Sequence, residues 1–478
     1  MNSDFVDLWL RRAADEFGTP AFVYFTDLIE ERIGRLKDQF QRSFALSFAV
    51  KCNPNPALLA WLNGRVDSLD ISSVGEMRLA LQAGWDPSLL SFTGPGKREA
   101  ELREAVESGL GLLVVESLRE ARLANAIAGE NGRNQAVLVR IAPNTVPNGF
   151  GDRMAGRPSA FGIDHEDADE AINEIVGLPH LRLVGFHIYS GTQCLKAEAI
   201  AANYRDCLVN FERLCIDHEL IPEHLVLGAG LGVPYHDGDI PLDLAEVADG
   251  FMPALREFKE QRRFRNTALV LELGRYLVSE SGWFLTRVIS TKMSRGTRIA
   301  ICDGGMNNHL PASGHFGMVV RRNYSMHKVG GEGTSEKVDV VGPLCTSIDR
   351  LAAGIDLPRL EEGDLIAVHN SGGYGLTASP IHFISHGAPS ELMISGNEMR
   401  DISRDFSPKL VDSRQFARPS ANSDGLEQPW GLSNCENCAA TTGGGERTKS
   451  CNPNCGRFVS SSPVVQDSGR SSFKGAAR

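Results

Sequence analysis

No run in this chain approaches the roughly 18 uninterrupted apolar residues that a membrane-spanning helix requires. Positive charge is also short: 49 Lys+Arg stand against 60 Asp+Glu, a formal net charge of −11. That balance excludes a general nucleic-acid binder, because neutralising phosphates takes clustered Lys and Arg. The opening residues, MNSDFVDLWLRRAADEFG, carry acidic side chains and no apolar core, so they do not read as a secretory signal. Together these absences point to the cytoplasm. Framework spacing is missing from the cysteines as well. Cys52, Cys194, Cys207, Cys215, Cys302 and Cys345 are scattered, as suits a reduced compartment, while Cys435, Cys438, Cys451 and Cys455 crowd into the tail.

What is present is the composition of a soluble globular protein, with too many residues for one ordinary domain. From about Thr19 to Arg275, nine short apolar runs (AFVYF, LSFAV, DSLDIS, LLSFTG, LLVVES, AVLVRI, RLVGFHIYSG, HLVLGAG and ALVLELG) alternate with amphipathic stretches. One stretch, VGEMRLALQAG, starts after Ser72 and Ser73 and ends at Gly84, the punctuation of a capped helix. Such alternation predicts a parallel β/α barrel, whose usual size is about 250 residues, or a doubly wound open sheet; periodicity leaves both open. After Gly282 the texture changes to β-type runs split by Gly, Asn and Pro: WFLTRVISTKM, TRIAICDG, MVVRRNYSM, KVDVVG, DLIAVHNSGG and PIHFISHG. These predict an all-β domain over residues 276–400, with residues 1–18 available to join it. Residues 407–478 hold 9 Lys+Arg against 6 Asp+Glu, are rich in Ser, Gly, Asn and Arg, and lack apolar periodicity. They read as a disordered tail. Its Cys435-x2-Cys438 and Cys451-x3-Cys455 approach zinc-ribbon spacing, but the flanks lack strands, so metal binding is the weaker reading.

Three stretches carry chemistry. In FAVKCNPNP, Lys51 ends an apolar run just before a rigid turn. Desolvation there is expected to lower its pKa and free the amine, as a nucleophilic lysine needs; a surface lysine after a strand is the plain alternative. In GAGLG, Gly228, Gly230 and Gly232 let backbone N–H groups converge on an anion, or simply make a tight turn. As a dinucleotide motif it fails, since Val233 stands at the third glycine position. In LVLELGRYLVSESG, Glu272 lies three residues before Arg275. Either the arginine neutralises a buried acid, or the acid serves a pyridine nitrogen and the arginine a phosphate.

These pieces, in this order, resemble the fold-type III pyridoxal-phosphate decarboxylases, the family of diaminopimelate, ornithine and arginine decarboxylases. The likeness runs from about Gly18 to Ser390 through GTPAFVY, FAVKCNPNP, SLDISSVGEM, AFGI, FHIYSGTQ, GAGLGVPY, ELGRYL, CDGGMN, GPLCTSID and NSGGYG. It implies α/β architecture: an alanine-racemase-like (β/α)8 TIM-type barrel over 19–275, an all-β C-terminal domain, and pyridoxal 5'-phosphate as cofactor. By the same resemblance Lys51 carries the cofactor, Asp70 sits near both, His187 stacks on the ring and Ser190 lies near the phosphate. Gly228, Gly230 and Gly232 cradle that phosphate with Arg275 and Tyr374, and Glu272 meets the ring nitrogen. Cys345 is implied to act across a homodimer interface as proton donor. Without the resemblance, Cys345 reads as an ordinary thiol and His187 as a core histidine.

The chain departs from diamino-acid enzymes at two points. Thr346 stands where an acid usually follows the cysteine, and no arginine follows GGMN until Arg321. The resemblance therefore leans toward a biosynthetic subgroup that decarboxylates glutamate carried on an acyl carrier protein. Decarboxylation of a free diamino acid (diaminopimelate, ornithine or lysine) is the alternative, and a non-catalytic cofactor-binding relative the third. RRNY at Arg321–Tyr324 reads equally as a carrier-facing segment or a solvated strand edge.

Overall fold

The structure, a computed structural model, describes residues 2–406 apart from 317 and 319. The tail expected to be disordered, with Cys435, Cys438, Cys451 and Cys455, lies outside the described residues.

Eight of the nine apolar runs form a closed barrel. Its strands are β2 (Ala45–Ala49), β3 (Ser68–Ile71), β4 (Leu90–Phe92), β5 (Leu112–Val115), β6 (Gln135–Ala142), β7 (Leu181–Ile188), β8 (His224–Gly228) and β9 (Ala268–Leu273). They pair in parallel and in chain order, and β9 returns to β2 to close the ring. Helices cross back over the outside between strands, so an open doubly wound sheet is excluded. The helix Val74–Gln82 begins as its sequence dictates: Ser73 accepts from the Glu76 amide at 3.1 Å, Glu76 reaches back to the Ser72 amide at 2.7 Å, and Gly84 takes a φ of 84°.

The ninth run, AFVYF, belongs elsewhere. As β1 (Ala21–Phe25) it pairs antiparallel with the strand Gly282–Ser294 and parallel with Ser390–Ser395, inside a second sheet of nine strands. All five of its residues are buried, so its sequence is indistinguishable from a barrel strand. The first helix (Ser3–Phe17) packs Val6, Trp9, Leu10 and Ala13 against Val23, Phe25, Leu285 and Leu392 of that sheet. Two other expectations differ. Among the described residues of MVVRRNYSM only Met326 joins a strand, the short Met326–Lys328, while Tyr324 makes an isolated bridge to His236 and packs against Tyr235 and His309. PIHFISHG makes a single 3-10 turn, Phe383–Ser385. Strands Arg350–Pro358 and Glu398–Asp401 complete the second sheet without a strong sequence signal.

Candidate active site

The C-terminal ends of the barrel strands converge on Lys51. The chain leaves β2 through a 3-10 turn, Val50–Cys52, and cannot continue as a strand because Asn53-Pro54-Asn55-Pro56 follows. Asn55 caps the next helix (Pro56–Leu62), accepting from the Ala57 amide at 3.0 Å with Pro56 at its first position. Asn53 donates to the Gly372 carbonyl at 3.0 Å, and the Tyr374 amide donates to the Cys52 carbonyl at 2.8 Å. The rigid turn therefore fastens the GGYG loop of the second sheet against the lysine. Tyr374 reaches the site in this way, at a φ of 60°.

Lys51 Nζ stands 3.9 Å from Asp70 Oδ2 and 3.9 Å from Glu272 Oε1. Strand register makes this so: Ala49 lies opposite Asp70, and Glu272 opposite Ser47. The expectation of a lowered lysine pKa is overturned. Burial does pull it down, but Glu272 and then Asp70 outweigh burial and hold the ammonium above its usual range. The two acids diverge. Burial would raise Glu272, yet the hydrogen bond from His187 and the charge of Lys51 hold it down to about 2. Asp70 is raised, by burial first and by Glu272 second. His187 Nε2 lies 2.8 Å from Glu272 Oε2; burial keeps the ring neutral, so Nε2–H donates to the carboxylate and Nδ1 faces no partner.

Arg275 is not the partner of Glu272. Among the described residues no acid lies within ion-pair distance of it. It donates instead to Tyr235 Oη at 3.1 Å and Thr192 Oγ1 at 3.2 Å, and its guanidinium lies 4.9 Å from the Tyr374 ring centroid. A small pocket is lined by Lys51, Thr192, Gly230, Leu231, Arg275 and Tyr374. Gly230 has a φ of 69°, and a Cβ there would sit 2.5 Å from Phe150. Gly228 and Gly232 are equally crowded, against Tyr189 and Cys194. Among the described residues the Gly230 and Leu231 amides donate to no backbone carbonyl. A half-buried arginine without an acid partner, open amides and hydroxyls are the donors that an anion cradle needs. With an ionised acid at one end and a lysine between, the donor set fits pyridoxal phosphate.

Two expected residues stand apart. Ser190 Oγ is buried without a partner and faces a separate cavity lined by Asn144, His165, Asp206 and Cys207, so the structure does not bring it to the lysine. Cys345 is exposed on the loop between Ser335–Val341 and Arg350–Pro358 and does not line the cavity of its own chain. That loop is anchored by the buried Asp349, which accepts from the Leu344 amide at 2.8 Å and the Met306 amide at 2.7 Å. Its neighbours Gly305 and Gly342 have no room for a side chain against that carboxylate.

Sequence reasoning missed one wall. Above Lys51 opens a cavity of about 370 Å³ shared by Glu272, His187, Arg140, Lys97 and Tyr189. Arg140 pairs with Glu116 at 2.9 Å and Lys97 with Glu120 at 2.6 Å, both buried. Arg140 sits beside His187 in strand register. Its place near the end of AVLVRI was the available signal, hidden because a lone arginine after an apolar run reads as a surface residue.

Comparison with known proteins is consistent across three lines. Residues 26–279 match the family model described as pyridoxal-dependent decarboxylase, pyridoxal binding domain. The chain is 32% identical to the L-glutamyl-[BtrI acyl-carrier protein] decarboxylase of Niallia circulans, over 79% of this chain and 89% of that protein. It is also 32% identical to the diaminopimelate decarboxylase of Pseudomonas aeruginosa, over 83% of this chain and 92% of that one. Among solved structures, diaminopimelate decarboxylase from Helicobacter pylori complexed with L-lysine superposes with a TM-score of 0.73 at 27% identity, covering 82% of this chain and 95% of that one.

Proposed function

The chain belongs to the pyridoxal-dependent decarboxylase family, and on that premise we propose that its substrate is an aminoacyl group, glutamyl first, held as a thioester on an acyl carrier protein. The reaction is a decarboxylation and the cofactor is pyridoxal 5'-phosphate. When bound, the cofactor supplies an electron sink, a protonated pyridine ring that takes up the pair released as carbon dioxide leaves.

The chain's own residues divide the remaining work. Lys51 would carry the cofactor, and Arg275, Tyr374, Thr192 and the turn Gly228–Gly232 would hold its phosphate. Glu272, ionised at any physiological pH, would keep the ring nitrogen protonated. His187 fixes that carboxylate through its Nε2–H and, being neutral, adds no opposing charge. Asp70, whose affinity for a proton is raised, accepts the one Lys51 must lose before its amine is free. Cys345, exposed in its own chain, would deliver a proton in the active site of a second subunit, which makes a homodimer the working unit.

The observation that carries this reading is the trio itself: one half-exposed lysine 3.9 Å from two buried acids whose pKa values are driven apart. For the substrate, the supporting feature is Thr346: a neutral hydroxyl replaces the acid that would grip a distal ammonium, and losing that partner costs a few kcal/mol. The matched diaminopimelate decarboxylases keep free diamino acids as the second reading. Carbon dioxide release from a panel of free amino acids and their carrier-bound thioesters separates them. Turnover of lysine, ornithine or diaminopimelate in preference to every thioester would reject the first.

A further inference from the structure

Asp70 does not line the cavity above Lys51. It lines another, of about 240 Å³, that runs inside the barrel below the lysine. The lumen is hollow because five of its eight strands turn small residues inward: Ala45 and Ser47, Ser68, Ser91, Ala136 and Ala268. The apolar half of its wall is closed by Val114, Leu138, Val184, Val226 and Val270, two of them on strands that also carry a small residue. Asp70 and Glu272 form the ceiling on the serine side, and Glu272 alone also opens upward. At the opposite end are Asp67, Arg182, Glu223 and His224, with Asp67, Arg182 and Glu223 exposed. Ala45, Ser68, Ser91, Ala136 and Ala268 keep partial solvent exposure although they belong to barrel strands. One oxygen of Asp70 accepts from Thr93 at 2.9 Å; the other, Oδ2, is buried without a hydrogen-bond partner.

From this geometry we propose that the serine-lined lumen is a proton route between Asp70 and solvent at the N-terminal mouth of the barrel. The proposal rests on the cofactor reading of Lys51. While substrate fills the upper cavity, the Lys51 ammonium passes one proton to Asp70 Oδ2, leaving a neutral amine and a neutral carboxyl. Asp70 then releases that proton down the lumen, which is wide enough for a file of waters at about 30 Å³ each, with the hydroxyls of Ser47, Ser68 and Ser91 as wall partners. Uptake follows the same route reversed. The groups that face Asp70 and set its charge are Lys51, Glu272 and Glu76, with Thr93 as its hydrogen-bond donor. Burial and the nearby Glu272 raise its proton affinity, as a relay carboxyl requires.

The test uses the yellow holoenzyme, mixed rapidly into D2O and followed by infrared absorption of the protonated carboxyl, with Asp70→Asn identifying the band. Two variants narrow the lumen away from the site: Ala268→Leu, and the milder Ser91→Val should the first fail to fold. Val114→Ile adds bulk to the apolar half as control. Wild type and control should exchange within the mixing time, and the narrowed variants at least tenfold more slowly with unchanged visible spectra. Equal exchange rates in all of them, or no carboxyl band that Asp70→Asn removes, would overturn the route. A colourless wild type would instead count against the cofactor reading.

Discussion

At the scale of single residues, the site is a problem of placing three charges where water cannot reach them freely. Lys51 with two acids carries a net negative charge, and the structure resolves it unequally: Glu272 keeps its charge through His187, while the proton affinity of Asp70 is raised. Lys51→Ala should therefore leave protein that binds no cofactor covalently. Borohydride should add a pyridoxyl mass to the peptide holding Lys51 in wild type and to none in the variant. Glu272→Gln should keep the fold but lower kcat by about 10²–10³, the usual loss when one preorganised electrostatic partner is removed. Steady-state kinetics at saturating cofactor measures it. Gly230→Ala combines a left-handed φ with a Cβ 2.5 Å from Phe150. Strain of about 1–3 kcal/mol should weaken cofactor binding at least tenfold, read by titrating the apoenzyme with pyridoxal phosphate.

At the scale of elements, two loops given roles in the proposed reaction are fastened by buried polar atoms. The turn Asn53–Pro56 grips the loop carrying Tyr374, and Asp349 grips the loop carrying Cys345. Asp349→Ala would leave the Met306 and Leu344 amides unpartnered in a buried place. Each such group costs about 1–3 kcal/mol, so the urea midpoint should fall, and turnover should fall with it if Cys345 acts from that loop. Asn side chains and Asn-Pro turns announce themselves in a sequence. The partner they hold, more than 300 residues away, does not.

At the scale of the whole molecule, three imidazoles are held neutral: the buried His187 and His309, the latter held down to about 3 by burial, and the half-buried His369, held down to about 4 by desolvation and then His327. In the unfolded chain each takes a proton near pH 6.5. Folded pKa values below that make the unfolded state bind more protons in the interval, so their contribution to stability is intact above pH 6.5 and lost as pH falls toward the folded values. For His309 the slope approaches about 1.4 kcal/mol per pH unit. Denaturation of His309→Gln should show a shallower decline between pH 6 and 4 than wild type by up to that amount. Subunit cooperation is testable at the same scale. Chains carrying Lys51→Ala and chains carrying Cys345→Ala, each inactive alone, should recover part of the activity when mixed, because one site in a mixed dimer has both groups. No recovery would place Cys345 outside the shared site.

The amino-acid order determined on its own the eight barrel runs, the capped helix after Ser73, the turn that ends the Lys51 strand and the glycines of GAGLG. All are local facts of periodicity, capping and backbone freedom, readable within about ten residues. Membership of β1 in the second sheet was decided only in three dimensions, since a fully buried strand looks the same in either sheet. Tertiary structure also decided that Arg275 bonds Tyr235 and Thr192 rather than Glu272, that Arg140 walls the cavity, that Ser190 Oγ faces a separate cavity, and that Lys51 is held charged. Each of these depends on which distant strand lies alongside, and electrostatic energy follows distance through space rather than separation along the chain.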